Sequence, residues 1–341
     1  MTASDQRPAG VDIPGQMPSA PRFQILSLDG GGSKAIFSAA VLARLEDDLG
    51  CCITDHFDLI VGTSAGGIIA LGLGHGLSPK EIVEFFFDEV RTVFPGPRFL
   101  HWLRRFVKSK YDGEGLRRAL HSRFGESLLG ESQVPLVIPA YDLGENDVHL
   151  FKTPHHPRLT RDWQVPNWEV AAATSAAPTY FPAHRLQGDG SRLVDGGVWA
   201  NNPAMVGVTE AVSLFGRRLD EIRVLSLGTT SGSRARPPSL DRAGLVRWGR
   251  APNIVDVLLA GQGTGSFTQV QHLVGKENAY RLNPPVLDGD LQLDGVNTDA
   301  LIAKAAHHSR RFSPTFDNSF RDHNRAPYTP YHGPKAEAQL S

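Results

Sequence analysis

Cysteine is scarce in this chain of 341 residues, and its scarcity excludes two kinds of stabilisation. The two cysteines, Cys51 and Cys52, are adjacent. They therefore offer neither a disulfide framework nor the paired ligand spacing of a structural zinc site. Such cysteine usage is typical of a reducing compartment, and we expect the protein to be cytoplasmic.

An excess of either charge is also missing. The chain has 35 Lys and Arg against 36 Asp and Glu, which leaves a net charge of -1. Broad attachment to nucleic acid requires cations that neutralise several phosphates at once, so we expect no DNA or RNA polymer as a partner. Hydrophobic residues make up 40% of the chain, and at this length they can form a large core.

Residues 1–21 lack the apolar stretch behind a positive start that a secretory signal requires. They are rich in Pro, Ser and Gly, which predicts a disordered leader, and residues 313–341 predict a flexible tail for the same reason. Between them we expect one domain over 22–312. Its motif-bearing core would cover 23–230, with a C-terminal helical elaboration over 240–312.

Charged residues are absent from Leu59 to Pro79, a length that could cross a membrane. Six glycines in this stretch would weaken a lone helix. A strand, a sharp turn and a closely packed helix would use those glycines, so we predict a buried element of a soluble protein.

Strand and helix patterns alternate along the first part of the chain. The apolar run Phe23–Leu28 is followed by glycines and then by apolar residues at helical spacing over 35–49. A second apolar run, Phe57–Val61, precedes a turn and a helix of small residues. This alternation predicts an α/β fold with a mostly parallel central sheet covered by helices. Further strands are expected at 136–140, 148–152, 193–195 and 222–227, and further helices from Pro79 and near 168–176, 204–215, 254–259 and 299–308.

A nucleophile motif lies in the uncharged stretch. Gly62-Thr63-Ser64-Ala65-Gly66 matches G-x-S-x-G, in which glycines let the chain turn sharply and present a serine hydroxyl at the start of a helix. With 35 glycines in the chain the pattern alone is weak, but the predicted strand before it and helix after it are the required context. The alternative role for Ser64 is a helix cap.

The stretch "LDGGGSK" holds three consecutive glycines, Gly30, Gly31 and Gly32, between a strand and a helix. Their amides can converge on a negative oxygen, either a phosphate or an oxyanion. A Walker A loop is poorly supported, because Lys34 is followed by Ala35 and not by Ser or Thr. A dinucleotide fingerprint fits the glycine spacing better but lacks a convincing acidic residue downstream. A nucleotide-binding sensor without catalysis therefore stays open.

A third motif, Leu193-Val194-Asp195-Gly196-Gly197, delivers an aspartate into a glycine turn. Taken alone, Asp195 is most simply a turn residue. In combination, the three motifs resemble the patatin-like phospholipase family, whose glycine-rich loop, G-x-S-x-G elbow and D-G-G/A motif occur in this order. The segments "AATSAAPTYFP" and "NNP" are further points of resemblance, which runs from about Phe23 to Thr230.

The resemblance implies a three-layer α/β/α sandwich and a lipid acyl hydrolase of the phospholipase A type, acting at the membrane surface on phospholipid. Ser64 would attack an ester carbonyl, Asp195 would accept its proton, and the Gly30–Gly32 amides would bind the oxyanion. No metal and no cofactor are implied. One departure is Lys34-Ala35, where the family commonly has Arg-Gly, so a cation is retained without the bidentate geometry of Arg.

Two further questions stay open at the level of sequence. An esterase or thioesterase with a Ser-Asp-His triad could use His307 or His308, which follow in the right chain order. Some compact bacterial members of the family are antiphage effectors activated by a cyclic dinucleotide, and this chain resembles that type. Neither the nucleotide pocket nor a homo-oligomer can be assigned from the residues.

Basic and aromatic residues alternate between Arg98 and Arg123, where eight Arg or Lys stand against two acids. Such a mixture suits anionic headgroups and acyl chains, although a solvated helix with aromatic residues in the core would have the same composition. The candidate membrane or ligand contacts are Arg98, Trp102, Arg104, Arg105, Phe106 and Lys108.

Overall fold

A computed structural model describes residues 22–93, 112–232, 241–242, 244, 253–286 and 298–336. Its centre is an eight-stranded sheet with the strand order β5-β6-β3-β2-β1-β7-β9, in which β4 also pairs with β3. The strands are β1 (Phe23–Leu28), β2 (Leu59–Gly62), β3 (Leu136–Asp142), β4 (Asp147–Lys152), β5 (His184–Arg185), β6 (Arg192–Asp195), β7 (Ile222–Leu227) and β9 (Ala279–Leu282). The short strands β8 (Ser231–Gly232) and β10 (Pro285–Val286) pair separately.

The pairs β3-β2, β2-β1, β1-β7 and β7-β9 are parallel, whereas β4, β5 and β6 join by antiparallel pairs. Nine α-helices accompany these strands in the described ranges. They are α1 (Ile36–Leu49), α2 (Ala65–Gly74), α3 (Pro79–Val93), α4 (Glu114–Phe124), α5 (Asn167–Thr174), α6 (Gly197–Ala200), α7 (Ala204–Ser213), α8 (Asn253–Val274) and α9 (Thr298–Ser319).

The sheet separates two apolar cores, as alternating side chains along a strand require. Leu26 and Leu28 of β1 face a core that includes α1, α2, α3, α5 and α9, whereas Phe23 and Ile25 face a second core that includes α7 and α8. Both faces of β1 are buried, which explains why four of its six residues are apolar. The predicted α/β fold, with a mostly parallel sheet between two helical layers, is confirmed.

The uncharged stretch forms β2, a turn and α2, and both elements are buried. Small residues let α2 lie close to the sheet, as the glycines predicted. None of the helices in the described ranges has the length and apolarity needed to cross a bilayer.

The two helices predicted in the C-terminal part are present, but both are longer than predicted. The helix predicted at 254–259 is α8, which extends to Val274, and the helix predicted at 299–308 is α9, which extends through Pro314 to Ser319. A flexible tail from 313 is therefore incorrect for the described residues. Phe316 and Phe320 are fully buried and pack against Phe57, because phenylalanines four residues apart share one face of a helix.

Candidate active site

Ser64 occupies the turn between β2 and α2. Its φ of 55° and ψ of -127° are uncommon for a residue with a side chain and identify the sharp turn of a nucleophile elbow. A Cβ atom on Gly62 would collide with the Gly66 carbonyl, and one on Gly66 would collide with the Leu28 carbonyl. The two motif glycines therefore serve close backbone approach, as predicted.

Thr174 at the end of α5 holds the elbow from outside the motif. Its Oγ1 accepts a hydrogen bond from the Ser64 N–H at 2.9 Å and donates one to the Pro139 carbonyl at 2.6 Å. The Ser64 amide is thus fixed and already has its acceptor. Thr174 belongs to the "AATSAAP" segment, which was noted in the sequence without a role for this residue.

Asp195 at the end of β6 lies directly against Ser64. The Ser64 hydroxyl donates to Asp195 Oδ2 at 2.6 Å, and the Gly197 N–H donates to the other carboxylate oxygen at 2.7 Å. Ser64 and Asp195 are 8% and 6% exposed, so this pair is largely shielded from water. The structure thus brings together two residues that are 131 positions apart in the chain.

Burial sets the basicity of this carboxylate. Desolvation raises the pKa of Asp195 to about 6, although the hydrogen bonds from Ser64 and Gly197 act in the opposite direction. An aspartate of ordinary pKa would be a weak base for a hydroxyl. With a pKa of about 6, Asp195 is mostly ionised at pH 7 and is a stronger proton acceptor than an exposed aspartate.

The glycine loop passes beside Ser64, but its three amides are not equivalent. The Gly30 N–H donates to the Asn201 carbonyl at 2.9 Å, so the prediction that Gly30 is an oxyanion donor is wrong. Gly31 and Gly32 line the cavity with Ser64, and Gly32 begins the 3-10 helix Gly32–Ala35. The first N–H groups of a helix have no acceptor within it.

The backbone N–H of Ala65 is a further candidate oxyanion donor next to Ser64. It is the first residue of α2 and lines the cavity beside Ser64. The amide after the nucleophile is a common oxyanion donor at such elbows. Gly31, Gly32 and Ala65 thus form the set of backbone donors that the geometry favours in place of Gly30–Gly32.

A cavity of about 340 Å³ opens next to the Ser64–Asp195 pair. Its walls are mainly apolar and come from α2, α3, α4, α8 and the segment after α5; they include Ile68, Phe85, Phe86, Leu116, Ala177, Phe181 and Leu259. At its mouth Val198 and Leu258 are 48% and 64% exposed. A pocket with an apolar wall and a few polar groups at one end suits a ligand with a hydrocarbon chain and an ester.

Neither histidine of the alternative triad reaches this cavity. His307 is exposed on α9, and His308 packs edge-on against Phe37 of α1 with 6.3 Å between ring centroids. No histidine is among the described residues that line the cavity. The candidate contacts Arg98, Trp102, Arg104, Arg105, Phe106 and Lys108 lie outside the described residues, so their prediction stays a prediction.

Comparisons with known proteins agree with this geometry. The model of the patatin-like phospholipase family matches residues 26–208. A cGAMP-activated phospholipase of Pseudomonas aeruginosa is 34% identical over 93% of this chain and 97% of its own length. Proteins of the same name from Escherichia coli and Vibrio cholerae are 36% and 34% identical, over 64% and 65% of this chain and 65% and 70% of theirs. Since the family model covers more than half of the chain and the first relative nearly all of it, the chain belongs to the patatin-like phospholipase family.

Proposed function

We propose that this protein is a phospholipid acyl hydrolase that acts at the membrane surface through a Ser64–Asp195 dyad. The observation that carries the proposal is the 2.6 Å hydrogen bond from the Ser64 hydroxyl to Asp195, at the polar end of an apolar cavity. Membership of the family supports the chemical class. The cavity supports a substrate with an acyl chain.

In this mechanism Ser64 Oγ attacks the carbonyl carbon of the ester while Asp195 Oδ2 takes the hydroxyl proton. The negative charge on the carbonyl oxygen is stabilised by the amides of Gly31, Gly32 and Ala65. When the tetrahedral intermediate collapses, the C–O bond to the glycerol breaks and Asp195 returns the proton to the leaving alcohol. Water then attacks the acyl-enzyme, again with Asp195 as base. The bond between the carbonyl carbon and Ser64 Oγ breaks, Asp195 returns the proton to Ser64, and the fatty acid leaves.

The dyad is favoured over a Ser-Asp-His triad because Asp195 contacts Ser64 directly and the described cavity lining contains no histidine. It is favoured over a nucleotide-binding loop because the glycine loop lies against a buried serine and its proton acceptor. A phosphate held at Gly31 and Gly32 would explain neither the elbow conformation of Ser64 nor the raised pKa of Asp195.

We further propose activation by a cyclic dinucleotide of the cGAMP type, as part of antiviral defence. The support is the name shared by three relatives, one of which matches along almost the whole chain. The expected behaviour is low hydrolysis alone and faster hydrolysis with the nucleotide.

The test is hydrolysis of mixed phospholipid vesicles, measured as released fatty acid with and without cyclic dinucleotides. Wild type should release fatty acid, whereas Ser64→Ala and Asp195→Asn should not, with unchanged circular dichroism as the control for folding. The replacement of both His307 and His308 by Ala should leave the rate unchanged. Hydrolysis that survives Ser64→Ala would contradict the dyad, and hydrolysis unaffected by any nucleotide would contradict only the activation.

A further inference from the structure

A buried ion pair lies at the start of the glycine loop, outside the catalytic cavity. Asp29, the residue before Gly30, is paired with Arg281 of β9, whose Nη1 and Nη2 each donate to one carboxylate oxygen, at 3.2 Å and 2.6 Å. Their side chains are 5% and 16% exposed. Two parallel hydrogen bonds to a carboxylate fix its orientation as well as its distance.

Arg281 is itself held from two other directions. Its Nη1 also donates to Ser226 Oγ at 2.6 Å, and its guanidinium lies over the Phe267 ring of α8, 5.6 Å from the centroid. Such a guanidinium has little freedom to move, because each of its neighbours restricts a different direction.

Through Ser226, Arg281 is also connected to Asn202, which follows Asp195 in the chain. Ser226 Oγ also accepts a hydrogen bond from Asn202 Nδ2 at 3.0 Å, and the carbonyl of the adjacent Asn201 accepts the Gly30 N–H. The glycine loop is thus bound at Asp29 by the ion pair and at Gly30 by the Asn201 backbone. These two neighbouring attachments set the position of the next two residues, Gly31 and Gly32, which line the cavity with Ser64.

We infer that Arg281 is a positioning residue for hydrolysis, which holds Asp29 so that the amides of Gly31 and Gly32 face the developing oxyanion. This inference rests on the proposed function. Arg281 does not line the cavity, so its effect on turnover would pass through the loop and not through contact with substrate. Loss of one oxyanion donor commonly costs about a hundredfold to a thousandfold in rate, so a displaced loop is expected to lower kcat about tenfold to a hundredfold.

The chain offers a matched control pair. Lys152 and Glu210 form an ion pair of the same length, 2.6 Å, with side-chain exposures of 18% and 4%, and neither residue lines the cavity. Arg281→Met and Lys152→Met should each remove the cation beside a buried carboxylate and lower the melting temperature. The loss should be smaller in Lys152→Met, because Glu210 keeps its hydrogen bond with His155 at 2.9 Å. Only Arg281→Met should also lower kcat per folded molecule, with KM unchanged.

The double variant Asp29→Asn, Arg281→Met separates positioning from stability. It removes both buried charges, so the melting temperature should recover towards wild type, whereas kcat should stay low because the two hydrogen bonds to the loop are still missing. Arg281→Lys keeps the charge without the bidentate geometry, so its kcat should lie between those of Arg281→Met and wild type.

Hydrogen exchange of the amides of Asp29 and Gly30 gives a readout that does not depend on activity. Exchange should be faster in the double variant and unchanged in Lys152→Met. Wild-type exchange together with wild-type kcat in the double variant would overturn the inference, as would an equal loss of kcat in Lys152→Met. If wild type hydrolyses no acyl ester, the proposed function fails, while the exchange measurement still decides whether Arg281 holds the loop.

Discussion

The substitution Asp195→Asn is expected to make the folded protein inactive and more stable at neutral pH. Asp195 has a pKa of about 6 in the folded protein against an ordinary value of 3.8, mainly because burial disfavours its charged form. The folded state therefore keeps this proton up to about pH 6, whereas the unfolded chain releases it near pH 4. Between these values the contribution of Asp195 to stability falls as pH rises.

The size of this contribution follows from the difference between the two pKa values. At about 1.4 kcal/mol per pKa unit, a rise from 3.8 to about 6 lowers the free energy of unfolding by ~3 kcal/mol at pH 8. At pH 5 the loss is roughly half as large. Asparagine carries no charge, so this cost is absent in Asp195→Asn. Its amide can still accept the Gly197 N–H and contact the Ser64 hydroxyl.

The assay is the free energy of unfolding by urea for wild type and Asp195→Asn at pH 5 and pH 8. The free energy of unfolding of Asp195→Asn should exceed that of wild type at both pH values. This difference should roughly double from pH 5 to pH 8, since all other titrating groups are shared. Ser64→Ala is the control: it is equally inactive but keeps the charge of Asp195, so it should not be stabilised at pH 8. A variant no more stable than wild type, or an advantage independent of pH, would refute the argument.

Three other outcomes follow from the geometry. The value of kcat/KM should decline about tenfold per pH unit below pH 6 as the catalytic base is protonated, and a profile flat down to pH 5 would contradict that base. Gly31→Ala should lower vesicle hydrolysis at least about a hundredfold, since its new methyl would collide with Thr229, and an unchanged rate would mean that the loop donates nothing. Phe320→Ala should cost about 3–5 kcal/mol in urea unfolding, whereas a negligible cost would mean that the segment after α9 adds nothing to the core.

Local pattern was enough to single out the candidate nucleophile but not its candidate base. Ser64 could be predicted because its motif, the strand before it and the helix after it are contiguous in sequence. Asp195 needed the order of three motifs, since an isolated Asp-Gly-Gly is equally typical of a turn. The fold class followed from the alternation of apolar runs and helical periodicity.

Contacts between distant segments could not be predicted. The use of the Gly30 amide by Asn201, and the clamp of Asp29 by Arg281, join residues 171 and 252 positions apart, and no local pattern encodes such pairs. The last turns of α9, beyond residue 308, were not predicted, because a proline such as Pro314 ends a helix in most contexts. Burial of Phe316 and Phe320 against Phe57 overrides that preference.

The central claim is that Ser64 cleaves acyl esters of membrane phospholipids with Asp195 as its base. The most direct test is mass spectrometry of fatty acid released from mixed phospholipid vesicles by wild type and by Ser64→Ala, at equal folded concentration and with a cyclic dinucleotide present. Wild type is predicted to release fatty acid and Ser64→Ala to release none. Equal release by the two proteins would contradict the account.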